Sequence, residues 1–255
     1  MFEFQSQLIF PTHAVPSAGP LPVGAETLSV QTADGETLQG IHIPPERPDT
    51  ERILVLGFSG NAWNGQDVAE YLDELYPDHD VVAFHYRGYA PSTGDPSGET
   101  LIADAPLVYD AAIERLKPAH AIGVGFSIGT GIAAQLSSSR RLDGLILVTP
   151  FDSLKAVAQS MYPWLPIGPF FQHEIDALTP LISGETPVAI VAAEKDEIVP
   201  NERTEELRSR IPQIVFDRTI ARAGHNDIYA RSDFHEAMRQ ALAAVRGAAA
   251  KPGTR

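Results

Sequence analysis

Residues 121–131 read AIGVGFSIGTG, an apolar run that passes into Gly125-Phe126-Ser127-Ile128-Gly129. A serine flanked at two residues by glycines, where strand-like patterning gives way to helix-like patterning, marks a sharp strand-to-helix turn. Such a turn holds the hydroxyl up from the sheet. At the start of a helix the free backbone N–H groups also favour developing negative charge. A serine hydroxyl alone is a weak nucleophile and needs a positioned base. Of the eight histidines, His225 has the setting for one, in Ala223-Gly224-His225-Asn226-Asp227 between the last predicted strand and the last predicted helix. His13, His42, His79, His85, His120, His173 and His235 lack that setting and show no metal-binding spacing such as H-E-x-x-H. A base needs an orienting acid. Asp196 follows the apolar run at 188–193, so it emerges at the C-terminal edge of the expected sheet, where open α/β sheets carry their sites. Glu194 and Asp152 are rival acids. The chemistry these groups could perform together is acyl transfer through Ser127. Its oxyanion needs two donors: the N–H of Ile128, and the backbone of Asn61 in the glycine-rich loop at 57–65. The same glycines do not fit dinucleotide binding, because Ile128 stands where a third glycine is required, and no P-loop pattern occurs.

The elements that must hold these residues are legible as an alternation. Residues 27–43 carry two alternating runs about Asp34-Gly35, which predicts a hairpin. Nearly unbroken apolar runs follow at 52–58, 81–84, 121–124, 145–148 and 188–193, as expected for parallel strands covered on both faces. Helical spacing appears at 67–75, 99–116, 127–136, 201–211 and 233–246. Strand–helix alternation predicts a mostly parallel α/β sheet with the hairpin at its antiparallel edge and helices on both faces. One domain over 1–245 is expected, with a disordered tail at 246–255. Residues 151–186 break the rhythm with Pro163, Pro166, Pro169 and Pro180, and form either a short cap over the site or a packed surface excursion. Trp63, Trp164, Leu165, Phe170 and Phe171 are candidates for an acyl pocket, or for ordinary packing.

Bulk properties narrow the function. The absence of cysteine among the 255 residues excludes disulfides, thiolate catalysis and thiolate zinc sites. A formal net charge of −14 argues against a nucleic-acid partner. The first ten residues have no basic region and no long apolar stretch, and no run of about 18 apolar residues occurs, so a soluble cytoplasmic protein without signal peptide or membrane anchor is expected.

Taken in order, Ser59-Gly60-Asn61-Ala62, Tyr86-Arg87-Gly88-Tyr89 with Ser92 and Gly94, the Ser127 pentapeptide, Asp196-Glu197-Ile198-Val199-Pro200 and Gly224-His225-Asn226-Asp227 resemble the small serine hydrolases of the α/β-hydrolase superfamily. The resemblance is to the branch of depalmitoylase-like proteins and their bacterial relatives, and it covers most of residues 50–230. It implies the α/β-hydrolase fold, a triad of Ser127, Asp196 and His225, oxyanion donors at Asn61 and Ile128, and a structural Arg87; acyl transfer by these groups needs no cofactor or metal. Ser59 departs from the His-Gly usual before the asparagine. The function expected is cleavage of a small-molecule carboxylic ester or thioester, with an amidase of the same triad or a non-catalytic binding protein of the same fold as alternatives. Oligomeric state is left open.

Overall fold

The computed structural model describes residues 2–47, 51–164 and 170–250. The alternating runs near the start form an antiparallel hairpin, β1 (Glu26–Gln31) and β2 (Thr37–Ile43). Gly35 in its turn has φ +92°, a left-handed backbone that suits glycine. The apolar runs become β3 (Ile53–Phe58), β4 (Asp80–Phe84), β5 (His120–Phe126), β6 (Gly144–Val148) and β7 (Val188–Ala193), and β8 (Ile214–Ile220) ends the set. Their order across the sheet is β1-β2-β4-β3-β5-β6-β7-β8. From β4 to β8 every neighbouring pair is parallel, while β2 joins β4 antiparallel.

Every residue of β3, β6 and β7 is buried, which explains their unbroken apolar character. Leu54, Leu56 and Phe58 of β3 enter one core and Ile53 and Val55 the other, as a two-residue period requires. The first core is closed by α3 (Gly98–Leu116), α4 (Ile128–Ser137), α6 (Leu178–Ser183) and α7 (Asn201–Arg210), the second by α2 (Gly65–Leu75) and α8 (Ser232–Ala249). The strand order reverses between β3 and β5, and the helices that follow these strands, α2 and α4, lie on opposite faces. The two βα loops therefore diverge and leave a crevice at the C-terminal edge.

The structure corrects one of these expectations and adds detail in two places. The last helix does not stop at residue 246 but continues to Ala249, because the sequence there is rich in alanine, the best helix former; residues 251–255 lie outside the described set. The excursion at 151–186 contains α5 (Leu154–Met161) and α6, and is pinned at its base. Ala177 and Leu178 donate to the carbonyl of Asp152, Leu154 donates to that of Ile175, and Ile175 is buried where a Cβ on Gly131 of α4 would touch it. A further helix, α1 (Phe2–Ile9), precedes the hairpin.

Candidate active site

Ser127 sits between β5 and α4 with φ +50° and ψ −116°, a conformation rare outside glycine. The surrounding glycines are there for space. A Cβ on Gly125 would lie 2.5 Å from the carbonyl oxygen of Gly129, and one on Gly129 would lie 2.2 Å from that of Phe58. The turn is further held by the Ser127 N–H donating to Val148 and by the Thr130 hydroxyl donating to the Ser127 carbonyl at 2.6 Å.

His225 arrives from the loop after β8 and places Nε2 3.0 Å from Ser127 Oγ. Its Nδ1 faces both oxygens of Asp196, at 2.9 and 2.8 Å. The carboxylate thus selects the tautomer with the proton on Nδ1 and leaves Nε2 free to accept from the serine hydroxyl. Asp196 leaves β7 in a tight turn, its Oδ1 accepting the N–H groups of Ile198 at 2.9 Å and Val199 at 2.7 Å. Both side chains are almost wholly buried, 7% exposed for His225 and 4% for Asp196. Burial strengthens the electrostatic coupling between them.

The loop after β3 lies against the serine. A Cβ on Gly60 would come within 3.8 Å of Ser127 Cβ. Tyr86 and Tyr89 donate their hydroxyls to the carbonyls of Ser59 and Asn61, which fixes the backbone of that loop at two points. Ile128 is the first residue of α4, so its N–H has no partner within the helix. Ser59 is buried, and its hydroxyl has no hydrogen-bond partner among the described residues.

The family model described as the alpha/beta hydrolase fold matches residues 53–173. An uncharacterized protein of Mycobacterium tuberculosis is 31% identical over 221 residues, covering 83% of this chain and 78% of its own. The chain belongs to the α/β-hydrolase family. A Saccharomyces cerevisiae relative named as an uncharacterized membrane protein is 28% identical over 265 residues, 95% of this chain and 90% of its own. Among solved structures, an esterase of Pyrococcus furiosus shares the fold with a TM-score of 0.73 at 18% identity, over 90% of this chain and 96% of that one.

In this α/β-hydrolase the rival acids are occupied elsewhere. Glu194 accepts the N–H of Arg222 at 2.7 Å, and Asp152 pairs with Arg203 at 3.2 Å. Burial pushes the Asp152 carboxyl upward. Other histidines have their own partners: His42 Nε2 on Asp80, His173 Nε2 on Ser6, and His235 Nε2 on the carbonyl of Tyr229, while Nδ1 of His42 and of His173 is buried without a hydrogen-bond partner among the described residues. Burial drives His85 down to about 4, so it is neutral and its Nδ1 accepts the Gly65 N–H. Arg87 holds Asp104 through two bonds, at 3.0 and 2.7 Å, and reaches Asp34 in the hairpin turn.

The aromatic residues expected at a pocket are not brought together. Trp63 packs in a cluster with Tyr71, Phe126 and Tyr229, next to the serine turn. Trp164 is 74% exposed with one edge contact to Tyr162, Phe170 is 55% exposed, and Phe171 is half-buried. Leu165 lies outside the described residues. Among those residues no group of three histidine or acidic side chains is placed to hold a metal ion, and no helix is long and apolar enough to cross a membrane.

Sequence reasoning missed the segment before the hairpin. Asn61 donates to the carbonyl of Ile9, Asn64 to that of Pro16, and Gln66 to those of Gly19 and Pro20. The loop over the serine is therefore lashed to the N-terminal segment. The signal available was the row of amide side chains, Asn61, Asn64 and Gln66, at the mouth of a strand.

Proposed function

We propose that the protein is a serine hydrolase that cleaves a small carboxylic ester or thioester through an acyl-enzyme on Ser127. The observation that carries this reading is the continuous chain from Ser127 Oγ through His225 to Asp196 at hydrogen-bond distances. The fold and an esterase among its structural neighbours support the coarser statement, a hydrolase.

In this reading His225 Nε2 takes the Ser127 proton as Oγ attacks the substrate carbonyl, and Asp196 stabilises the imidazolium that forms. The oxyanion is met by the N–H groups of Ile128 and Asn61, each contributing about 3 kcal/mol. His225 returns the proton to the leaving group, and water cleaves the acyl-enzyme by the same route in reverse. No step calls on a cofactor.

The test is turnover of p-nitrophenyl esters from acetyl to palmitoyl, with labelling by a fluorophosphonate probe, in wild type and Ser127→Ala. Turnover and labelling that both vanish in the variant support the reading. Wild-type protein that neither turns over nor labels would sink it in favour of a non-catalytic member of the fold.

A further inference from the structure

We propose that Glu197 is a positioning residue for the base: its carboxylate grips the backbone of His225 while the adjacent Asp196 grips the ring. This deepens the serine-hydrolase reading and rests on it. Glu197 Oε2 accepts the N–H of His225 at 2.9 Å, and Asp196 accepts the imidazole Nδ1–H of that same residue. Two consecutive acids thus hold one histidine at two points.

The turn after β7 makes this possible. In an extended strand neighbouring side chains point to opposite sides. Here the Asp196 carboxylate draws in the N–H groups of Ile198 and Val199, which curls the chain so that both acids face the histidine loop. The histidine loop is cut to receive the second acid. A Cβ on Gly224 would stand 2.7 Å from Glu197 Oε2, so any larger residue there pushes the carboxylate off the His225 amide. This gives Gly224 its role in Gly224-His225.

Other bonds already close the two loops on each other. Lys195 N–H donates to the Ala223 carbonyl, Glu194 N–H to that of Ile220, and Arg222 N–H to the Glu194 carboxylate. Loss of Glu197 therefore leaves the loops together and frees chiefly the pitch of the His225 backbone. A base displaced by about 1 Å loses on the order of 100-fold in rate, so a small freedom at that amide is read in kcat.

The experiment compares the full-length protein as wild type, Glu197→Ala, Glu197→Gln, Gly224→Ala and the Glu197→Ala/Gly224→Ala double variant on a p-nitrophenyl ester, with melting temperatures alongside. Glu197→Ala is expected to lower kcat by about 10-fold or more with KM and melting temperature near wild type. Glu197→Gln keeps an acceptor oxygen and recovers most of the activity. Gly224→Ala mimics Glu197→Ala, and adds nothing in the double variant, because both remove one bond. Wild-type kcat in Glu197→Ala, a loss confined to KM, or Glu197→Gln as weak as Glu197→Ala overturns the proposal. Ser127→Ala separates the two levels. An active wild type silenced by Ser127→Ala but indifferent to Glu197 defeats this inference alone, whereas a wild type with neither turnover nor fluorophosphonate labelling defeats the serine-hydrolase reading and this proposal with it.

Discussion

The side-chain amide of Asn61 donates to the carbonyl of Ile9 at 3.0 Å, joining positions 52 residues apart. The loop over Ser127 is thereby supported from outside itself. Phe10, the next residue, is 2% exposed and meets His173 edge to face at 5.3 Å. Asn61→Ala keeps the backbone N–H and removes the tether, so kcat is expected to fall about 10-fold while stability drops by about 1 kcal/mol. Phe10→Ala is expected to destabilise by about 3 kcal/mol in urea unfolding. Full activity in Asn61→Ala would show that the loop holds itself.

Asp196→Asn keeps the shape of the acid but favours the wrong imidazole tautomer. Its kcat at neutral pH is expected to fall by about 10⁴-fold. Glu194→Gln and Asp152→Asn, whose partners are Arg222 and Arg203, leave turnover near wild type. Comparable losses at Asp152 or Glu194 would reassign the acid.

Burial lowers His85 from 6.5 to about 4, so the folded protein binds fewer protons there than the unfolded chain. Stability from this site is present above about pH 6.5 and is lost as pH falls toward 4. The loss amounts to at most about 3 kcal/mol. Urea midpoints measured from pH 7 to 4.5 should fall less steeply in His85→Gln than in wild type. Equal slopes would remove His85 from the acid sensitivity.

Two glycine substitutions should move stability in opposite directions. A Cβ on Gly129 meets the backbone oxygens of Phe58 and Ser59 at 2.2 and 2.7 Å, and Gly129→Ala is expected to cost about 3 kcal/mol. Gly247 lies in α8 with nothing within 4 Å of its Cβ, and Gly247→Ala should stabilise by up to about 1 kcal/mol. Thermal melts of the two variants decide both.

The parts of the site that show in the sequence are those enforced by local chemistry. Ser127 needs glycines at fixed offsets, and Asp196 follows a strand that is an unbroken apolar run, whereas β8 before His225 is half polar and stands outside the predicted runs. Both cores also write themselves into the strand pattern. What stays hidden is carried by backbone. The partners of Asn61, Asn64 and Gln66 are carbonyls of Ile9, Pro16, Gly19 and Pro20, and every residue type has a carbonyl. Glu197 is hidden for the same reason, since it bonds an amide N–H. Trp164 and Phe170 mislead in the opposite sense, because aromatic character says nothing about which way an excursion turns its side chains.

Ser127 and His225 are 98 residues apart, and Asp196 and His225 are 29 apart, on the loops that follow the neighbouring strands β7 and β8. Contacts of such separation form late, after long loops have been closed against their entropy. Secondary structure and partial burial can return on refolding before those three side chains meet. In the proposed reading, reactivity at Ser127 becomes a clock for the last event of folding, and labelling by a pulse of serine-directed probe during refolding should lag behind circular dichroism.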